Sequence, residues 1–103
     1  MIAMNKNMDQ DCRELLAAFF TNYPNTCLQV KADRALKRLL AHQIPMLGKP
    51  GGWAGGIIYA LANQGRRACG VPGLLNQEFE DLFNVSMGTI YKRAWQIRTG
   101  LAD

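Results

Sequence analysis

The amino-acid sequence predicts a single all-α domain of five helices. Apolar residues recur at three- and four-residue spacing in successive segments, turn residues separate those segments, and no alternating strand pattern is long enough to count. The 103 residues, 49% of them hydrophobic, are enough for one core and too few for two ordinary domains. We therefore expect one helical unit over residues 9–101, preceded by a flexible N-terminus over residues 1–8.

The first two helices are predicted on either side of a turn at Pro24 and Asn25. Asp9 can cap the first helix, and the second is expected from Leu28 to Gln43. The first helix has its apolar residues at helical spacing: Leu15, Leu16, Phe19, Phe20 and Tyr23. The second has a buried side of Ala32, Ala35, Leu36, Leu39 and Leu40. Its opposite side carries Lys31, Arg34 and Arg38, which we interpret as a solvated basic face.

The third helix is predicted to lie at the centre of the domain. It follows a connector over residues 44–50 that contains two prolines and a glycine. No charged side chain occurs between Lys49 and Arg66, so the other helices should surround this one. Gly55 and Gly56 each lower helix propensity by roughly 1 kcal/mol, a cost that makes sense if they permit close contact between helices.

Residues 75–99 have the capping and turn residues typical of a helix-turn-helix, in which two short helices cross at a tight turn. Asn76 can cap the first helix, and Asn84 tolerates the left-handed conformation that ends it. Val85 places a branched apolar group under the corner, and Ser86 can cap the second helix. The inward side of that second helix is predicted to be Ile90, Ala94 and Ile97.

The outward side of this second helix supplies most of the candidate DNA-binding residues. Its predicted members are Ser86, Met87, Gly88, Tyr91, Lys92 and Trp95, with Arg93 at the margin and Arg98 at the far end. In a helix-turn-helix that reads DNA, the N-terminal part of the second helix reaches base edges, and flanking basic or hydroxyl groups hold phosphates. We expect the groove to be contacted by Met87, Gly88 and Tyr91. We expect phosphates to be contacted by Ser86, Thr89, Lys92, Arg93 and Arg98, and by Arg66 and Arg67 from the preceding loop.

Other interpretations of these residues stay open. Thr89 can bond within its own helix, and Tyr91 or Trp95 can complete the core. Glu80 occupies a place where such motifs usually have a small residue, and Gly88 has no side chain with which to read a base. The first helix of the motif also brings three acids, Glu78, Glu80 and Asp81, toward any phosphate backbone. These features favour loosely specific binding over tight recognition of one site.

Two sequence blocks resemble one cyclin-box repeat of the transcription factor IIB family and of related uncharacterised bacterial cyclin-like proteins. The first block is the small-residue-rich segment from Lys49 to Ala62, which contains an Ile58-Tyr59 pair. The second is the corner Phe83-Asn84-Val85-Ser86 with Thr89-Ile90-Tyr91-Lys92-Arg93 after it. The resemblance implies a five-helix cyclin fold with DNA or the transcription machinery as partner. The chain differs from the family in having one repeat, no zinc ribbon, and Tyr91 where an arginine is common.

Composition narrows the classes of function. The net charge of +4 and the pI near 9.2 favour a polyanionic partner, here double-stranded DNA. One histidine, His42, and no paired cysteines leave no zinc-ligand spacing, and no glycine-rich phosphate loop occurs. We therefore expect no enzyme activity, no cofactor and no metal. The alternative is a protein-interaction adaptor that offers a groove near Tyr91 and Trp95 to a partner helix.

The cysteines and the apolar runs indicate the compartment. An odd number of distant cysteines, without a secretory signal, argues against a disulfide framework and for the cytoplasm. We interpret Cys12, Cys27 and Cys69 as buried apolar thiols. The uncharged stretch over residues 50–65 is too short to cross a bilayer, so no membrane association is expected. The oligomeric state and the target sequence are left open.

Overall fold

The described part of the chain folds into five α-helices. The computed structural model describes residues 3–62 and 74–101, with side chains from residue 8 onward. These residues contain no strand, so the all-α prediction is confirmed. The helices are α1 (Ala3–Asn22), α2 (Thr26–Ala41), α3 (Pro50–Ala62), α4 (Asn76–Phe83) and α5 (Met87–Gly100).

Helix α1 begins at Ala3, before the predicted cap at Asp9. Residues 3–8, expected as a flexible N-terminus, are therefore part of the helix. The carboxylate of Asp9 accepts a hydrogen bond from Arg13 Nε at 2.6 Å, one turn further along α1. Met4 and Met8 extend the four-residue spacing of Cys12 and Leu16 toward Ala3, a signal that the sequence prediction did not use.

Helix α2 begins at Thr26, and Asn25 is its N-cap. The Asn25 side chain accepts a hydrogen bond from the backbone N–H of Leu28 at 3.0 Å. The predicted start at Leu28 is wrong by two residues because Asn25 acts as a helix cap and not only as a turn residue. The predicted buried side is confirmed for Ala32, Ala35, Leu36 and Leu39.

An ion-pair network joins α1 to α2. Arg13 donates to Asp9 on its own helix and, through Nη1, to Asp33 Oδ1 at 2.9 Å. Lys37 lies 3.2 Å from the second Asp33 oxygen. The hydrogen bond and charge of Lys37, reinforced by Arg13, lower the pKa of Asp33 from its ordinary value of 3.8.

Helix α3 is the central helix, as predicted. It packs against each of the other four helices, and all residues from 51 to 60 are buried. Trp53 is fully enclosed, and its indole Nε1 donates to the backbone oxygen of Leu47 at 2.9 Å. Pro50 is the first helical residue, a position where proline is favoured because no backbone donor is needed there.

Glycines on α3 permit its neighbours to approach its backbone. A Cβ atom at Gly51 would overlap with the backbone oxygen of Phe83 at the end of α4. A Cβ at Gly56 would lie 2.9 Å from Arg93 Cβ and 3.0 Å from the backbone nitrogen of Ala94, both in α5. The prediction that small residues permit close contact of α3 with other helices is thus confirmed.

A cluster of aromatic rings connects α1 with α4. The Phe19 ring centroid lies 5.8 Å from that of Phe83 and 6.2 Å from that of Phe79. Phe79 and Phe83 are in turn 5.0 Å apart, nearly perpendicular to one another. These separations are typical of favourable aromatic pairs. The cluster fixes the position of α4 against the core, and thereby the start of α5.

The described cysteines differ in environment. Cys12 is buried, and burial, with the nearby charges of Asp11 and Asp9, raises the pKa of its thiol from 9.0 to about 12. Cys27 is exposed near the start of α2, so the prediction that it is buried is wrong. Cys69 lies outside the described residues.

We predict that Gly51→Ala destabilises the fold by about 1–3 kcal/mol, because the new methyl group overlaps with a backbone oxygen that cannot rotate away. Gly88→Ala is the matched control. Its Cβ would meet only Ser86 Oγ at 3.7 Å, so it should be neutral or stabilising by about 0.5–1 kcal/mol. Urea unfolding followed by circular dichroism measures both. Equal stability of Gly51→Ala and the wild type would contradict the packing described for α3 and α4.

Asp33→Asn should reduce stability at neutral pH by less than about 1 kcal/mol, since the pair is largely exposed. The folded-state pKa of Asp33 is lowered, so its stabilisation is present above the unfolded value and is lost as pH falls through the folded value. The difference between wild type and variant should therefore shrink below pH 3.8. Unfolding free energies at neutral and acidic pH test this, with Asp81→Asn as the control. A difference that does not change with pH would argue against the network.

Candidate functional site

The connection between α4 and α5 is a corner of three residues, Asn84 to Ser86. Asn84 adopts the left-handed conformation, with φ 57° and ψ 41°, as predicted. The backbone N–H groups of Asn84 and Val85 both donate to the backbone oxygen of Glu80. Val85 is half-buried and packs against the core. This corner fixes the direction in which α5 leaves α4.

The start of α4 differs from the prediction. Its N-cap is Leu75, and Asn76 is the first helical residue. The Glu78 carboxylate accepts a hydrogen bond from the backbone N–H of Leu75 at 3.1 Å. A carboxylate in the first turn satisfies a donor and interacts favourably with the positive end of the helix, so an Asn76 cap is not needed.

Two side chains cap the N-terminus of α5. Ser86 Oγ accepts from the backbone N–H of Thr89 at 3.3 Å, which confirms the predicted cap. Glu80 Oε2 accepts from the backbone N–H of Met87 at 2.6 Å. The sequence marked Glu80 only as a misfit, because its partner is seven positions away and is reached only once the corner has formed. The positive end of α5 therefore already holds a carboxylate.

The first turn of α5 offers few side chains to a ligand. Met87 is 7% exposed and belongs to the core, so its predicted outward placement is wrong. Gly88 is exposed without a side chain. The Thr89 hydroxyl lies 3.2 Å from Ser86 Oγ, so both hydroxyl groups make a local contact within the cap. The helix start is thus engaged in holding the fold together.

The exposed side chains of α5 lie further along the helix. We call Tyr91, Lys92, Trp95 and Arg98 the α5 outer face; all four are exposed, and their three- and four-residue spacing places them on one side of the helix. Trp95 is 66% exposed and Tyr91 is 43% exposed. Trp95 therefore does not complete the core, whereas the Tyr91 ring packs partly on Tyr59, with 5.1 Å between centroids.

Arg93 points inward from α5 and does not join the outer face. Its Cζ lies 4.8 Å from the centre of the Trp53 ring, a cation–π distance. Its Nη1 donates to Gln96 Oε1 at 2.8 Å, and its buried Nε has no hydrogen-bond partner in the described part of the chain. The side chain lies along the surface left open by Gly52 and Gly56. Helical periodicity alone had placed Arg93 at the margin of the exposed side.

The remaining predicted site residues are Arg66 and Arg67, which lie outside the described residues. Of the other predicted residues, the structure brings Tyr91, Lys92 and Arg98 together on the α5 outer face. Trp95 lies beside them, on the outward side that the sequence predicts and not in the core position that was its alternative. Within residues 3–62 and 74–101, no three His, Cys, Asp or Glu side chains form a group that could hold a metal ion.

No protein-family model, curated protein or solved structure matches this chain. The resemblance to a cyclin-box repeat therefore stays a prediction. Among the described residues, no helix combines the length and the apolar character needed to cross a membrane.

We predict that Glu80→Ala destabilises the protein by about 1–2 kcal/mol, because the Met87 N–H and the positive end of α5 both lose their partner. Ser86→Ala should cost about 1 kcal/mol for the same reason at the Thr89 N–H. Asp81→Ala is the control, since it removes the same charge from an exposed site on the same helix. Thermal and urea unfolding provide the measurements. If Glu80→Ala and Asp81→Ala behave alike, Glu80 is not a cap.

Proposed function

We propose that this chain is a small non-enzymatic DNA-binding protein that acts in transcription and contacts DNA through α5. The observation that carries the proposal is the chemistry of the α5 outer face. Two exposed cations, Lys92 and Arg98, alternate with two exposed aromatic rings, Tyr91 and Trp95, and α5 contains no acidic residue. A surface of this kind attracts a polyanion and offers flat rings for contact with it.

We further propose that α4, the corner and α5 act as a helix-turn-helix within a cyclin-like fold. The short corner, the left-handed Asn84 and the Ser86 cap support this proposal. The resemblance to the transcription factor IIB family supports the same arrangement and suggests the transcription machinery as a further partner. The central position of α3 agrees with the architecture that the resemblance implies.

The contact with DNA should be made by the middle and the C-terminal half of α5. At the helix start the Glu80 carboxylate would repel a phosphate, and Gly88 offers nothing to a base edge. Lys92 and Arg98 are exposed further along and can neutralise phosphates. Binding through these groups is strongly dependent on salt and only loosely dependent on sequence.

A protein-interaction adaptor is the second candidate, and the exposure of Trp95 favours it. Tryptophan, tyrosine and arginine are enriched in the buried centres of protein interfaces, and the α5 outer face contains all three. A partner helix could cover the two rings. Docking of apolar groups depends far less on salt than phosphate contact does, so salt separates the two candidates.

The test is fluorescence anisotropy with a labelled mixed-sequence DNA duplex at about 50 and about 200 mM salt. We expect binding that weakens at the higher salt, and a Lys92→Ala, Arg98→Ala double variant whose salt slope is reduced by about 2, since each lost phosphate contact lowers it by about one. Arg93 is left intact because it packs on Trp53, so its replacement would disturb the fold.

The matched control is a Lys31→Ala, Arg34→Ala double variant, which removes the same charge from the exposed face of α2. Retained binding in this control would assign the interaction to α5 and not to net charge alone. Absence of DNA binding at the lower salt, with single-stranded DNA as well as with the duplex, would overturn the DNA-binding proposal and leave the adaptor candidate.

A further inference from the structure

The α5 outer face exposes a large aromatic surface that takes little part in packing the core. Trp95 is 66% exposed, and no ring or cation of the described residues packs on its indole. The described residues contain one other tryptophan, Trp53, which is buried and hydrogen-bonded. Leaving an indole in water is unfavourable unless a ligand covers it, since its apolar area is large.

Cations stand on both sides of Trp95 along the helix. Lys92 precedes it by three residues and Arg98 follows it by three, which places each about 4.5 Å away along the helix axis. Since α5 contains no acidic residue, a negatively charged chain that passes across the indole meets a cation before and after it. This pattern complements a nucleic-acid backbone that carries its bases to one side.

A second ring extends the surface. Tyr91 lies one turn before Trp95, about 6 Å away along the axis. Its ring rests on the buried Tyr59 at 5.1 Å between centroids, so one side of Tyr91 is supported while the residue as a whole stays 43% exposed. Two rings on successive turns can receive two bases of one strand.

Whether the site suits single-stranded or double-stranded nucleic acid depends on which surfaces of a base are accessible in each form. In a duplex the faces of the bases are covered by their neighbours, and a protein reads only their edges, through hydrogen-bonding side chains in a groove. The start of α5 is poor in such side chains, because Met87 is buried and the Ser86 and Thr89 hydroxyls form a local contact in the cap. The rings of the α5 outer face suit the faces of bases, which are accessible when a strand is unpaired.

We infer that the α5 outer face binds single-stranded DNA, with bases stacked on Trp95 and Tyr91 and phosphates held by Lys92 and Arg98. The inference rests on the proposed DNA-binding function and specifies the form of DNA that the site takes. A helical protein partner is the competing occupant. The alternating order of cation and ring along α5, with no acid among them, favours the nucleic acid.

The experiment compares a labelled oligothymidylate of about twelve nucleotides, a size within the range bound by single-strand-binding modules, with a duplex of the same length and with an abasic strand of the same charge. The full chain should bind oligothymidylate more tightly than either of the others. Trp95→Ala should weaken binding of the strand about 5- to 100-fold, the range expected for loss of one stacked base, while Trp95→Phe keeps most of the affinity.

Two readouts separate stacking from a structural effect. Trp95→Ala should leave the salt slope unchanged, whereas the Lys92→Ala, Arg98→Ala variant lowers it. Oligothymidylate should quench tryptophan emission in the wild type and quench it much less in Trp95→Phe, where only Trp53 remains. Val30→Ala, which trims an exposed apolar side chain on α2, is the control and should bind like the wild type.

The possible failures point to different conclusions. If the duplex or the abasic strand binds as tightly as oligothymidylate, the stacking inference is overturned and the DNA-binding proposal stands. The same holds if Trp95→Ala binds oligothymidylate as the wild type does. If no DNA binds at low salt while the protein remains folded, both fall, and the exposed rings become a surface for a protein partner.

Discussion

The close contact of α3 with α5 is the constraint on which the rest of the fold depends. Gly52 and Gly56 let the α3 backbone approach Thr89, Arg93 and Ala94 of α5. Because the contact is this close, the apolar side of α5 is fully covered, and the remaining helices pack on other sides of α3. The core is therefore built around a central helix that carries glycines where α5 crosses it.

Most features set by local spacing could be predicted from the sequence, although the helix caps at Asn25 and Leu75 were missed. Features set by tertiary contact could not be predicted. The central α3, the left-handed Asn84 and the Ser86 cap each follow from residues close in the chain. The cap made by Glu80 depends on the turned corner, and the inward course of Arg93 depends on the space beside Trp53. Of the predicted site residues, Tyr91, Lys92 and Arg98 are exposed beyond the first turn of α5, while the first turn itself is occupied by the cap.

Packing and capping together decide what α5 can present to a ligand. Its buried side packs against α3, and the backbone N–H of Met87 in its first turn donates to the carboxylate of Glu80. What remains is one exposed stripe in the middle and at the end of the helix, where rings and cations alternate. The function proposed for this helix therefore depends on the side chains that stay exposed after folding, and not on the helix start, which DNA-reading helix-turn-helix motifs commonly use.

The absence of a side chain at Gly51 has a consequence for how such a chain can diverge. Any relative in which α3 packs against α4 in this way must retain glycine at this position, because the Cβ of any other residue would collide with the Phe83 carbonyl oxygen. Packing within the described residues places a much weaker restriction on Trp95, which is 66% exposed. Across related chains, we expect the small residues of α3 to be conserved, while the exposed residues of α5 can be substituted to suit a different ligand.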